Sequence, residues 1–310
     1  MAETYLITGG AGFIGSHIAE MLVADGQRVR IYDNLASGHE HNLAAFRGDV
    51  EFIEADIRDT AALAQAMRGV DYVFHEAAMV SVFESVEKPA LCHEINLTGT
   101  LGVCQAAKDA GVKRLVMAGT AATYGNNPTL PKREDMMPEP ESPYGLTKVA
   151  GEYYLQTFAK LYGLETAILR YFNVYGPRQD PSSMYSGVIS KFTDLVRAGQ
   201  TPTIFGDGLQ TRDFVFVKDI ARANILAMRS SKVGHGEVCN IGTGRRVSLL
   251  DLLAAMSKIV DRDLSPQFKD ARAGDVQHSV ADISRARELL DYAPQYDLES
   301  GLRQLFASLD

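Results

Sequence analysis

Tryptophan is absent from this chain, cysteine is scarce, and no apolar run is long. The three cysteines, Cys92, Cys104 and Cys239, are odd in number, scattered and without CxxC spacing. That excludes a disulfide framework and offers no zinc site, and it suits a reducing cytoplasm. No window approaches the roughly 18 apolar residues a membrane span needs, and MAETYLITGG lacks a basic leader, so a soluble chain without a targeting segment is expected. Positive charge is in short supply too. Against 39 acidic residues stand 31 Lys and Arg, giving a formal charge of -8 and a pI near 5.4. Nucleic acid and acidic lipid would be repelled at long range, which excludes them as expected partners. The histidines show no metal spacing: His39 and His41 share a loop, His17 follows a glycine turn and His235 lies in a glycine-rich bend. No metal is expected. Internal repeats and low-complexity tracts are missing as well.

What is present is apolar bulk in a regular alternation. The 310 residues, 46% hydrophobic, suit one large domain or a domain with a smaller partner. Tyr5–Thr8, Val29–Tyr32, Phe52–Ile53, Asp71–Phe74 and a run ending at Ala118 read as buried strands. Helices are expected near Gly12–Asp25 and Pro89–Ala110 between them. Continuous apolar strands joined by helices indicate a parallel sheet covered on both faces, a doubly wound α/β (Rossmann) fold. Beyond about Tyr175 the pattern loosens: GPRQDPSS and FGDGLQTRD alternate with helices near Gly187–Ala198 and Leu249–Val260, the latter opened by Ser248 and Asp251 as cap residues. Residues 1–175 therefore read as the nucleotide-binding domain and 176–310 mainly as a smaller, mixed α/β lobe for substrate, with later segments returning to the first domain.

TGGAGFIGSH, Thr8 to His17, carries the strongest chemical signal. Gly10, Gly12 and Gly15 give GxGxxG between a predicted strand and a predicted helix, and Gly9, Gly12 and Gly15 give GxxGxxG. Glycines there allow the turn, close approach of backbone to a pyrophosphate and tight helix packing. Asp33 ends the second strand, where a carboxylate accepts bonds from ribose hydroxyls and repels a 2′-phosphate, which favours NAD over NADP. Asp56, after the third strand, has two readings, a contact to the adenine or a cap for the helix that follows. In YGLTK, Tyr144 and Lys148 stand one helical turn apart, so an ammonium beside the phenol should lower its pKa and make a general base. Of 13 tyrosines, only Tyr144 has a lysine four residues on, and it follows Ser142-Pro143, a helix start. In GTAATYGNN, Gly119 to Asn127, Thr120 sits where the fifth strand gives way to a loop, as either a working hydroxyl or an ordinary strand-end threonine.

TGGAGFIGSH, Tyr32–Asn34, Ala121–Gly125, SPYGLTK, RYFNVYGPR (Arg170–Arg178) and TRDFVFVKD (Thr211–Asp219) together resemble the extended short-chain dehydrogenase/reductases, and among them most the UDP-hexose 4-epimerases. The resemblance runs nearly the whole length. It implies Tyr144 as the proton-transfer residue, Lys148 as a nicotinamide-ribose ligand that tunes it, and Thr120 as a hydroxyl on the sugar's O4. It implies a cofactor site of Gly9, Gly12, Phe13, Ile14, Gly15, Asp33, Asn34, Ser37, Gly38, Asp56, Ile57, Ala77, Tyr144, Lys148 and Tyr171. Arg212 and Arg272 would bind the diphosphate, Asn173 and Asp275 would add polar contacts, and Phe205 would pack on the uracil. His75, Glu76 and Val80 lie where the family contacts the cofactor, without an assigned part. Related dehydratases carry an acid pair after the threonine; Ala121 and Ala122 cannot move a proton, so transient oxidation at C4 followed by reduction remains. Ser279 stands where a bulky tyrosine narrows the pocket of hexose-specific members, which implies that UDP-GlcNAc and UDP-GalNAc are accepted beside UDP-glucose and UDP-galactose. The helices near Pro89–Ala110 and Ser142–Tyr162 would build a homodimer. A uronate 4-epimerase, a 4-reductase or a non-catalytic nucleotide sensor would retain the same cofactor motifs.

Overall fold

The computed structural model describes residues 2–180, 187–270 and 277–309. Seven strands form one parallel sheet: β1 (Thr4–Thr8), β2 (Arg28–Asp33), β3 (Val50–Glu54), β4 (Tyr72–His75), β5 (Arg114–Thr120), β6 (Glu165–Tyr171) and a last strand, His235–Ile241. Their order across the sheet is last strand, β6, β5, β4, β1, β2, β3. The chain winds from β1 out to β3 and then crosses back to β4, so a crevice opens at the C-terminal ends of β1 and β4. This is the doubly wound α/β fold expected from the alternation of apolar runs.

All of β1 is buried, as a strand covered on both faces must be. Tyr5 and Ile7 join the core under α1 (Phe13–Ala24) and the helix Val217–Arg229, while Leu6 joins the opposite core under α2 (Thr60–Ala66), α5 (Gly99–Ala110) and α6 (Pro143–Tyr162). Leu6 and Ile7 are both wholly buried, and each contributes about 1.5–3 kcal/mol through apolar burial. A third core gathers the helices Val188–Arg197, Leu249–Val260 and Leu298–Ala307 around short strand pairs such as Asn173–Tyr175 with Phe214–Phe216. Ser248 and Asp251 there form the reciprocal cap that their spacing suggests. After this lobe begins, the chain re-enters the main sheet through the last strand, which pairs with β6.

Two local expectations change. After α3 (Val82–Glu87), the helix expected over Pro89–Ala110 is a composite of α4 (Pro89–His93), a π-helical turn Glu94–Thr98, and α5. The buried Asn96 in that turn accepts from Met79 N at 2.7 Å and donates to Met79 O at 3.0 Å, so a tertiary contact holds the widened turn. The cap of α2 is Asp59, which accepts from Ala61 N and Ala62 N, so the capping reading of Asp56 does not hold.

Candidate active site

The glycine turn is built as its spacing requires. Gly9 has φ +70°, and a Cβ there would lie 2.7 Å from Ala77 N; a Cβ on Gly15 would lie 2.3 Å from Gly9 O. Gly12 is the N-cap of α1 without a side-chain cap, which turns the first amides of the helix, from Phe13 and Ile14, toward an incoming anion. Asp33, buried at the end of β2, accepts from Ala11 N at 2.9 Å and from Leu35 N at 2.8 Å, lacing the turn to its neighbour strand. Burial pushes its carboxyl up, opposed by those two amides. Gly38 lies against it, since a Cβ there would be 2.9 Å from Asp33 Oδ2. Asn34 donates to Asp56 Oδ2 at 3.0 Å. Asp56 is held down at about 2, chiefly by Arg58, which forks onto it at 2.9 and 2.7 Å. Ile57 is buried under Gly99, and Ser37 stays exposed. An uncapped helix terminus, a left-handed glycine and a carboxylate at the end of β2 fit a dinucleotide with a free 2′-hydroxyl, which is NAD.

The chemical groups meet at the ends of β5 and β6, where Thr120 is paired with Tyr171. Ser142 caps α6 by accepting from Gly145 N at 3.1 Å, and Pro143 follows at its first position. This places Tyr144 in the first turn, half-buried, with its backbone N–H on Ser85 Oγ at 3.2 Å. Thr120 Oγ1 accepts from Ala122 N at 3.2 Å, so its own hydrogen is available to the Tyr144 phenol with which it bonds. Lys148, one turn further and buried, donates to Ala118 O at 3.0 Å.

The electrostatics correct the expectation of an acidified phenol. Burial pushes Tyr144 up, opposed by the Thr120 hydrogen bond, while Cys92 and Glu76 push it further up. Lys148 turns its ammonium to the backbone of β5, and burial pulls it down to about 8, with Glu76 the leading charge in opposition. Glu76 itself is pushed up to about 7 by burial, although Tyr171 OH donates to it at 3.0 Å and Lys148 faces it. No local pattern in the sequence gives Glu76 this setting, because its neighbours come from α6 and β6.

The described substrate-side candidates lie on or beside the short strands around the third core. Asn173 is exposed just past β6, and its N–H donates to Asp213 O at 3.1 Å. Arg212 lies on the short strand Thr211–Arg212, with Nη1 donating to Thr211 O at 3.0 Å. Ser279 N donates to Thr211 O at 3.0 Å, which sets Ser279 beside Arg212. Phe205 ends the strand Thr203–Phe205, and Gln210 Nε2 donates to its carbonyl at 2.8 Å. Arg272 and Asp275 lie outside the described residues. The fully buried Asp213, which the sequence pattern does not single out, accepts from Thr243 N at 2.7 Å, Gly244 N at 3.0 Å and Ala281 N at 3.1 Å. It thereby ties the strand that carries Arg212 to the segment that carries Ser279. Among the described residues, no group of three or more His, Cys, Asp or Glu could hold a metal ion.

Residues 5–242 match the model of the NAD-dependent epimerase/dehydratase family. A UDP-glucose 4-epimerase of Mycolicibacterium smegmatis is 42% identical over 303 residues, 96% of this chain and 95% of that protein. The solved UDP-N-acetylglucosamine 4-epimerase of Methanobrevibacter ruminantium, in complex with UDP-N-acetylmuramic acid, superposes with TM-score 0.95 at 38% identity, covering 100% of this chain and 99% of that one. The UDP-glucose 4-epimerase of Thermotoga maritima with UDP-glucose superposes with TM-score 0.93 at 40% identity, covering 99% and 98%.

Proposed function

The chain belongs to the NAD-dependent epimerase/dehydratase family, and from that premise we propose that it is a UDP-hexose 4-epimerase. It interconverts UDP-glucose and UDP-galactose, and UDP-GlcNAc and UDP-GalNAc with them. One observation carries the reading: Thr120, Tyr144 and Lys148 converge at the end of β5, and the residues that follow, Ala121 and Ala122, leave no acid or base for elimination.

NAD held along the crevice supplies the two-electron acceptor and donor for C4. Tyr144 takes the proton of the sugar's 4-hydroxyl as C4 is oxidised, and returns it once the 4-keto sugar has turned over about its diphosphate link. A positioned base of this kind contributes roughly 10²–10⁴-fold. Thr120 donates a hydrogen bond to the phenol oxygen, stabilising the phenolate that takes the proton. Lys148, anchored on Ala118 O, holds its ammonium at a fixed depth beside the cofactor ribose. Asp33 closes the ribose end against a 2′-phosphate.

Arg212 and Arg272 grip the diphosphate, Asn173 and Asp275 add polar contacts, and Phe205 packs on the uracil, so the nucleotide stays fixed while the sugar turns. The small Ser279 leaves space for an N-acetyl group, in keeping with the named substrate of the Methanobrevibacter relative. The chain works as a cytoplasmic homodimer through α4–α5 and α6, a reading supported by the exposed Leu146, Tyr153, Leu161 and Tyr162 on α6.

The test is incubation with UDP-galactose, and separately with UDP-GalNAc, without added reductant, followed by NMR of the products for C4 inversion. Formation of UDP-glucose and UDP-GlcNAc is expected. Turnover only with stoichiometric NADH would replace the reading with that of a 4-reductase.

A further inference from the structure

The mechanism above gives Glu76 no task, yet the fold takes care over where it stands. It follows β4 directly, with its N–H on Thr8 O at 3.0 Å, and a Cβ on Gly9 would lie 3.0 Å from its carbonyl carbon. Its backbone is thus part of the glycine turn's wall. Its side chain reaches Tyr171 on β6, whose hydroxyl donates to Oε1 at 3.0 Å.

The direction of that bond is fixed from behind. Asn224 Nδ2 donates to Ile220 O at 3.0 Å and to Tyr171 OH at 2.7 Å. A carbonyl can only accept, so the amide nitrogen must face this side, the Tyr171 oxygen must accept, and its hydrogen must go to Glu76. One carboxyl oxygen is therefore held as an acceptor by a relay that starts on the helix Val217–Arg229. Tyr171 is the register partner of Thr120, which bonds Tyr144, and Lys148 is held on Ala118 O of the same strand as Thr120, so Glu76 shares one end of the sheet with both. The titratable groups facing it are Lys148 and Tyr144 from α6 and Tyr171 from β6. Tyr144, Lys148 and Glu76 thus form one cluster of proton-binding groups whose charges act on each other.

Resting on the reading of Tyr144 as the base, we propose that Glu76 is a positioning residue: its carboxylate holds Lys148 as a cation and opposes ionisation of Tyr144, so its charge state sets the pH range in which the base works. Burial, which pushes Glu76 up to about 7, supports this, because the group then exchanges its proton near neutrality. Ionised Glu76 raises both Lys148 and Tyr144, so removing its charge must move both in the same direction.

The test uses the NAD-supplied enzyme and its Glu76→Gln variant, in which the acceptor for Tyr171 is kept and only the charge is lost. Expected are a phenolate absorbance of Tyr144 that develops at lower pH and a kcat profile whose acid and alkaline limbs both move to lower pH. Glu76→Met, apolar and of similar length, should give the same shift even if the loss of the Tyr171 bond lowers its stability. Unmoved phenolate and kcat profiles in folded Glu76→Gln or Glu76→Met would overturn the proposal and leave Glu76 as a structural partner of Tyr171. Tyr144→Phe is the reference: if it retains the same absorbance step, the assignment of the base fails instead.

Discussion

Replacing Arg170 with methionine probes how α6, and with it Tyr144 and Lys148, is seated on the sheet. Arg170 on β6 grips Glu152 on α6 through two bonds of 2.9 and 2.7 Å, and its third arm donates to Tyr124 OH at 2.9 Å. Both charged side chains are only 4% exposed. The guanidinium carbon also lies 4.9 Å from the Tyr124 ring centroid, and Tyr124 OH donates onward to Asn240 at 2.6 Å. Methionine would leave the Glu152 carboxylate buried without its cation, and breaking one half of a buried pair costs about 3–5 kcal/mol. Glu152→Met should cost a similar amount, because the buried guanidinium then loses its anion. Removing both charges together is different: apolar replacement of a whole buried pair is often close to neutral, so the double variant should recover most of the loss. Urea unfolding of the four proteins, followed by circular dichroism, measures the cycle. A single-variant loss below about 1 kcal/mol, or a double variant whose loss equals the two single losses added, would refute the account of this pair as a clamp. Glu152 lies one turn beyond Lys148, so the same variants should weaken the Lys148–Ala118 anchor and lower kcat more than they change UDP-sugar affinity.

Thr120→Ala removes the hydrogen bond that opposes the rise of the Tyr144 pKa; bonds to charged groups are worth about 1.5–3 kcal/mol, so kcat should fall roughly ten- to a hundred-fold and Thr120→Ser should restore most of it. Unchanged kcat in Thr120→Ala would remove Thr120 from the site. Gly9→Ala forces a Cβ to 2.7 Å from Ala77 N at φ +70°, costing about 1–2 kcal/mol in backbone conformation alone, and should weaken NAD binding in equilibrium dialysis. Ser279→Tyr should cut turnover of UDP-GlcNAc far more than that of UDP-glucose, read as the ratio of kcat/KM values. His75 is buried and neutral, pulled down to about 3 mainly by burial and further by Lys148. Its folded value lies below the unfolded one near 6.5, so its contribution is full above about pH 6.5 and is lost as pH falls toward 3, by up to about 1.4 kcal/mol per unit. His75→Gln should flatten that part of the stability profile measured by urea unfolding.

The parts of this molecule that could be read from sequence are those whose physics is local. β1 and the glycine turn declare themselves because an apolar run must be a covered strand and because Gly9 and Gly15 stand where any side chain would collide with backbone. The start of α6 is legible in Ser142-Pro143 because a cap acts three residues away. What stayed hidden depends on contacts between distant segments. The spacing of Tyr144 and Lys148 places them on one helix face but is silent about Ala118 O, which takes the ammonium's hydrogen bond, and about the burial that raises the phenol. The widened turn at Asn96 is invisible because its partner, Met79, belongs to the loop after β4. Asp56 has the composition of a cap, and only the path of the loop gives that place to Asp59 instead. The setting of Glu76 follows the same rule: its partners, Tyr171 and Asn224, lie far along the chain.

The strand His235–Ile241 docks beside β6, although residues 172–234 are synthesised between the two. On the ribosome, the C-terminal flank of β6 must therefore wait, unpaired, until the second lobe has emerged. Cutting the gene after β6 would free a sheet with a sticky open edge. A split version of this protein should accordingly be divided in a surface loop after Ile241, once the last strand is on the same fragment as β6, and never between the two halves suggested by the change of sequence texture.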